Sequence, residues 1–353
     1  MDSALIIERL KVRQLALSPA ISLSERLSDV KSFDVVLVEL QLSSGDTGYG
    51  DALIVDGTTP ETLEQAWMIV CTLADASIGA PVSDATALYL QSHRAAPHGT
   101  TALVAAVEAA TGEVPVESPI EVPLVGLVDT SGPIAFADSL ETLPQFGRGV
   151  IRVPLTGDVP EDLGMLDRVR EVVGDGTRFR LYGDQTYTPE DAIAFVTALD
   201  PSGVEWLDQP CAAGDWDALA AVKDASPVPL AASGFIYDDD DIANAAATAD
   251  TVGFGFARIG GAGQLRAAIR NAETRGLGVF IGGSLQSDLT TFLEVQVSDG
   301  AIIDLPVFSA AAEPLLSADV FAEGGRLTAR PTSPLRLNEE TLASCTLQEL
   351  SFG

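Results

Sequence analysis

The sequence predicts an α/β protein built around a closed barrel of parallel strands, with an α+β unit ahead of it. From about residue 120 onward, short apolar runs bounded by Gly, Pro or polar tips alternate with segments long enough for about three helical turns. Strand followed by helix, repeated about seven times over roughly 180 residues, fits a closed parallel barrel better than an open sheet. No G-x-G-x-x-G follows the first strand of the series, so a dinucleotide-binding arrangement has no fingerprint.

The elements follow in order. IIERLKV and FDVVLVELQL alternate or run apolar in the manner of strands, and the turn-rich SSGDTGYGDA comes next. TTPETLEQAWMIVCTLAD has helical spacing, with Thr59 as the expected N-cap and Pro60 in the first turn. TTALVAAVEAATG is a second expected helix, rich in small residues. The barrel strands are VPLVGLV, GVIRVPL, FRLYGD, VEWLDQP, VPLAASG, TVGFGFA and GVFIGG, and AIIDL closes the ring as an eighth. PEDLGMLDRVREVVG, TPEDAIAFVTALD and GQLRAAIRNAETRG supply helices between them. The tail from about Ser309 returns to strand-and-turn character and is expected to fold back on the first unit. The implied division is 1–118 for the α+β unit, 119–308 for the barrel, and 309–353 for the returning segment.

The formal net charge of −31 excludes phosphate backbones as partners, because so acidic a surface repels nucleic acid. No apolar run approaches the roughly 18 residues of a membrane span. The start MDSALIIERLKV lacks the basic and apolar blocks of a signal peptide. Cys71, Cys211 and Cys345 are odd in number and widely spaced, as expected for inert thiols of a cytoplasmic protein. Lysine is scarce: Lys11, Lys31 and Lys223 are the only ones.

Several of these stretches together resemble the enolase superfamily, in its muconate-lactonizing, dipeptide-epimerase and mandelate-racemase-like branches. GDTGYGDA resembles a turn of the family's N-terminal cap, VEWLDQP its fourth-strand motif, ARIGGAGQLRAAIRNAETRG its sixth-strand segment, and SPLRL the closing strand of the cap. The resemblance implies a modified TIM (β/α) barrel whose mouth is covered by an α+β capping domain. It also implies proton abstraction next to a carboxylate, with the enolate held on Mg²⁺ by carboxylates on the third, fourth and fifth strands. Lysines on the second and sixth strands would move the proton. A homo-oligomer is a common form among such relatives, although the sequence fixes no number.

Carried onto this chain, the metal positions fall on Tyr182, Asp208 and Ser233, with Asp184 two residues beyond Tyr182. The lysine positions fall on Val150, Arg152 and Gly255. Octahedral Mg²⁺ wants rigid oxygen ligands, so no metal or other cofactor is expected here. Arg152 keeps a cation but does not readily give up a proton, and His93 and His98 belong to the cap side, so the barrel holds no Lys or His base. The candidate site is Arg152, Tyr182, Asp184 and Asp208 at one mouth. There Arg152 either holds a substrate anion while Tyr182 or an acid moves a proton, or simply neutralises Asp184 and Asp208 as an ion pair.

Weaker candidates are an anion site at Gly283 and Ser284, where a strand ends ahead of a helix, and a packing turn at Arg258, Gly260 and Gly261. Asp238–Asp241 reads as an acidic helix start. The functional expectations are three: a metal-independent isomerase or lyase acting on a small carboxylate, a non-catalytic binder of a small anion or protein partner, and a conventional Mg²⁺-dependent racemase or cycloisomerase whose site is displaced from the positions named.

Overall fold

The computed structural model describes residues 5–20, 30–146, 149–282, 285–298, 300–323 and 325–353. Strands β1 (Ile7–Leu17), β2 (Phe33–Leu42) and β3 (Thr47–Ile54) form an antiparallel sheet. Strand β2 is apolar on both faces, because each face meets a different core. Phe33, Val35 and Leu37 join the core that extends into the barrel, whereas Val36, Val38 and Leu40 pack with the helices of the cap.

Those helices are α1 (Leu63–Ser77), α2 (Val82–Gln91) and α3 (Pro97–Thr111). The N-cap of α1 is Thr62, which shares a capping box with Gln65. Thr59, expected in that role, instead bonds its hydroxyl to the carbonyls of Val55 and Glu61 and shapes the preceding loop. The small residues of α3 have a packing reason. A Cβ added at Gly48 would lie 2.0 Å from the Ala106 carbonyl oxygen, and one at Gly50 would lie 2.2 Å from that of Ala102. Helix α3 therefore rests on the backbone of β3, which only glycine permits.

After the short strand β4 (Ile120–Pro123), eight parallel strands follow in chain order, each beside its predecessor. They are β5 (Gly126–Leu127), β6 (Val150–Pro154), β7 (Arg178–Tyr182), β8 (Val204–Asp208), β9 (Leu230–Ala232), β10 (Thr251–Phe254), β11 (Gly278–Gly282) and β12 (Ile302–Asp304). These are the eight expected strands. The Val125 N–H donates to the Leu305 carbonyl at 3.2 Å and brings the two ends of the sheet together. Around them lie α4 (Pro133–Thr142), α5 (Val159–Val173), α6 (Pro189–Ala198), α7 (Trp216–Ala225), α8 (Asp239–Thr248), α9 (Phe256–Ile259), α10 (Ala262–Thr274) and α11 (Asp288–Gln296). Side chains of Asp158, Thr188, Asp215, Asp238 and Ser287 cap five of these helices. Asp238–Asp241 is thus the acidic helix start that its sequence indicates.

The tail forms a hairpin, β13 (Ala318–Glu323) and β14 (Arg326–Pro331), that extends β4. Then α12 (Glu339–Cys345) leads to β15 (Thr346–Phe352), which pairs antiparallel with β1. SPLRL is not the returning strand of the cap. Pro334 has no N–H to donate to a ladder, and Leu337 makes only an isolated bridge to Leu316.

Gly50→Ala is expected to cost about 1–3 kcal/mol or more by forcing α3 off β3. Urea denaturation of the variant measures this, and an unchanged midpoint would show that the contact tolerates a methyl group.

Candidate active site

A cavity of about 660 Å³ lies where the C-terminal ends of the barrel strands meet the cap. Its lining includes Arg152, Tyr182, Asp184 and Asp304 from the barrel, and Val55, Thr59 and His98 from the cap. Ligand sites of TIM barrels occupy this end, because the loops that vary freely are there.

The register of the parallel strands builds the floor. Arg152, Arg180 and Trp206 are register neighbours on β6, β7 and β8, so their side chains share one interior layer. Trp206 stacks on Phe280 with ring centroids 5.0 Å apart, and the Arg180 guanidinium lies 4.5 Å from the Trp206 ring centroid. Both arginines converge on Asp304: Arg152 Nη1 donates to Oδ2 at 3.1 Å, and Arg180 Nη1 to Oδ1 at 2.9 Å. Arg180 also donates to Glu205 at 2.7 Å. The hydrogen-bonded partner of Arg152 is therefore Asp304, while the charges of Asp208 and Asp184, one of the two expected arrangements, reach it as weaker contributions. Register decided this, because the end of β12 lies directly across from Arg152. The only sequence signal for Asp304 was an acid ending the run AIIDL.

The next layer up carries the other candidates. Tyr182 and Asp208 are register partners. The Arg152 guanidinium sits 4.1 Å from the Tyr182 ring centroid, and the Tyr182 hydroxyl donates to Asp184 at 3.3 Å. Burial, and then the Asp184 charge, push the Tyr182 phenol well above its ordinary range. Asp184, Gln185 and Gln209 have φ of 45°, 64° and 42°, in the left-handed region that side chains seldom adopt. Two backbone bonds hold this turn, from Gly183 N–H to Asp208 O and from Gln185 N–H to Gln209 O, both 2.8 Å. Gly183 is required there, since a Cβ would meet Pro210 Cα at 2.6 Å.

Asp208 does not itself line the cavity; Ser233, which does, donates to its Oδ2 at 2.7 Å. Among the described residues its Oδ1 has no hydrogen-bond partner, and burial pushes the carboxyl up to about 7. Arg152, Tyr182 and Asp184 thus share the cavity wall, with Asp208 linked to it through Ser233. Gly283 and Ser284 lie outside the described residues.

Two further residues enter the cavity that the sequence did not indicate. The turn at Gly260 and Gly261, with φ of 92° and 94°, is structural as expected. There Glu108 of α3 accepts from Ala262 and Gly263 N–H at 2.6 and 2.8 Å, which docks the cap on α10. The Arg258 side chain instead lines the cavity, and among the described residues its only hydrogen bond is a long one of 3.4 Å to the Gly234 carbonyl. His98 sits on the cap side as expected, yet it also lines the cavity. Pairing with Glu61, 37 residues away in sequence, is what aims it there.

Residues 135–328 match the model of the enolase C-terminal domain-like family. The chain belongs to that family, within the enolase superfamily that its motifs resemble. Among curated relatives, the L-Ala-D/L-Glu epimerase of Bacillus subtilis is 22% identical over 80% of this chain and 82% of its own length. The hydrophobic dipeptide epimerase of Enterococcus faecalis is 22% identical over 90% of each chain. The solved dipeptide epimerase of Cytophaga hutchinsonii, complexed with Mg and D-Ala-L-Val, superposes with a TM-score of 0.83 at 18% identity, covering 99% of this chain and 100% of that one. The muconate lactonizing enzyme of Pseudomonas fluorescens gives 0.83 at 19% identity, covering 98% and 100%. These likenesses establish the capped barrel and a kinship with racemases, epimerases and cycloisomerases. Among the described residues, no helix is long and apolar enough to cross a membrane.

Asp304→Asn would leave two buried guanidiniums without a shared carboxylate, and is expected to destabilise the fold by about 3–5 kcal/mol in chemical denaturation. A pH dependence follows from the buried acids. Burial pushes Asp51 and Asp288 up to about 6, and Asp208 and Glu294 up to about 7. Their folded-state values lie above the unfolded ones, so the stability they contribute is present at low pH and is lost as pH rises from about 4 to about 7. Melting temperature at constant ionic strength is expected to fall between about pH 5 and about pH 8; a rise would contradict these environments.

Proposed function

We propose that the cavity binds a small carboxylate-bearing molecule and transfers a proton on it, as a divergent isomerase or lyase of the superfamily that works without a Mg²⁺ cage. Arg258 carries this reading. Arg258 lines the cavity, and among the described residues its Nε has no hydrogen-bond partner and no carboxylate forms an ion pair with it, the charges of Asp208 and Glu294 reaching it only at longer range. A guanidinium so placed is a ready fork for a ligand carboxylate.

The donor set argues against a divalent ion. Tyr182 is a neutral phenol, Ser233 gives its hydroxyl proton to Asp208, and the charge of Arg152 already reaches Asp208 and Asp184. Among the described residues, no three His, Cys, Asp or Glu side chains group closely enough to hold a metal. The residues present fit Mg²⁺ poorly. The enediolate of a simple carboxylate carries two negative oxygens, which guanidiniums alone stabilise too weakly. The favoured substrates are therefore carboxylates whose carbon acid is already activated by a second carbonyl or a conjugated double bond.

Non-catalytic anion binding is the second reading. It is favoured by Asp304, which neutralises Arg152 and Arg180 without any need for turnover. The register of β7 and β8, with Tyr182 beside Asp208, speaks against a displaced metal site.

Calorimetry with dipeptides, N-succinyl amino acids and muconate-type diacids is expected to find a binder that Arg258→Ala weakens by about tenfold or more. Deuterium uptake by that binder in D₂O supports catalysis, and binding without uptake supports the second reading. If no compound binds, both are wrong. Stabilisation of EDTA-stripped protein by Mg²⁺ would restore the conventional metal enzyme.

A further inference from the structure

We propose that His98 is the proton carrier of this cavity and that Glu61 is its positioning residue, so that the cap supplies the base the barrel does not hold. The inference deepens the carboxylate-site reading above, and rests on it.

The construction starts at a helix end. Helix α3 opens at Pro97, and Ala96 before it gives no side-chain cap, so the first N–H groups need an acceptor from elsewhere. Glu61, only 1% exposed, provides it. Its Oε1 accepts from the N–H groups of His98 and Gly99 at 2.6 and 3.1 Å, and its Oε2 faces His98 Nδ1 at 3.1 Å. Burial alone would raise the Glu61 carboxyl, but the bonds from His98 and Gly99 outweigh it and hold the group below its ordinary value. A carboxylate pinned by two backbone bonds fixes Nδ1 as the proton-bearing ring nitrogen. Nε2 is then the basic atom. His98 lines the cavity and is 5% exposed, and among the described residues nothing bonds Nε2.

The other histidine is a built-in comparison. His93 has both ring nitrogens occupied, Nδ1 with the Thr100 hydroxyl at 3.1 Å and Nε2 with the Arg258 carbonyl at 2.7 Å. It ties the backbone of Arg258 to the cap and has no free nitrogen for chemistry. Arg258, His98 and Tyr237 all line the cavity, and the charges of Arg258 and Glu61 both reach the Tyr237 phenol. Among the described residues, the titratable groups whose charge is coupled to His98 are Glu61 and His93, and Tyr237 and Arg258 line the same cavity.

In the proposed step, Nε2 takes a proton from an activated carbon of a substrate whose carboxylate Arg258 holds. The C–H electron pair moves into the adjacent π system, and the imidazolium is balanced by Glu61. Return of the proton to a conjugated carbon gives isomerisation. Expulsion of a β-substituent, which takes the proton from the imidazolium, gives elimination.

The chain has 2 histidines, so nitrogen-15 NMR reads both imidazoles directly. His98 is expected as the Nδ1-protonated tautomer, and diethyl pyrocarbonate is expected to modify His98 and spare His93. Glu61→Gln keeps an acceptor for α3 but turns an amide NH₂ toward Nδ1, so it should convert His98 to the Nε2-protonated tautomer. A purely structural role would not predict reactivity at Nε2. With any N-succinyl amino acid, dipeptide or diacid that takes up deuterium, His98→Gln should retain binding and lose exchange by a factor on the order of 10²–10⁴. An Nε2-protonated wild-type His98, resistance to the reagent, or exchange unchanged in His98→Gln would each overturn the proposal. Failure of every compound to bind would sink the carboxylate reading alone, leaving tautomer and reactivity to decide on His98.

Discussion

Asp304 accepts from Arg152 and Arg180 at once, 5% or less of each group being exposed apart from the 7% of Arg152. At that depth each guanidinium would be strongly destabilising alone, and two of them side by side on β6 and β7 would also repel. One carboxylate at the end of β12 serves both, while Glu205 takes the remaining face of Arg180. The ring of strands therefore has to bring its last member opposite its second and third. Tyr182 over Arg152 and the stacked Trp206 and Phe280 complete a floor on which the cavity rests.

The same economy joins cap to barrel. Glu108 accepts two N–H groups at the start of α10, Asp288 those of Leu315 and Leu316, and Asp51 the hydroxyls of Ser287 and Thr290. Each is a buried acid whose desolvation is only partly offset by bonds from backbone N–H or hydroxyl donors, so that all three carboxyls lie above their ordinary value. Part of the net charge of −31 is thus written into the interior, and it is not only a surface property. Glu61 belongs to this set, with one difference: its second oxygen faces an imidazole, and that imidazole faces the cavity.

Local chemistry was legible wherever a residue acts on its own neighbours. The apolar run of β2, the acidic start of α8 and the seven strand–helix units with their closing eighth strand could be read because period and capping depend on adjacent positions. Thr59 and SPLRL were misread because several neighbouring segments offered the same local signal. Thr62 has a Gln three residues on to complete its box, and Thr346–Phe352 has a free edge of β1 to pair with.

Taken alone, the sequence determined the order of elements and the position of the strand ends. Tertiary structure alone decided which charges meet: Asp304 with Arg152 across 152 residues of chain, and Glu61 with His98. Periodicity is a property of the backbone and repeats along it. An ion pair depends on register, on helix packing and on exclusion of water, and those are fixed only when distant segments close around the same space.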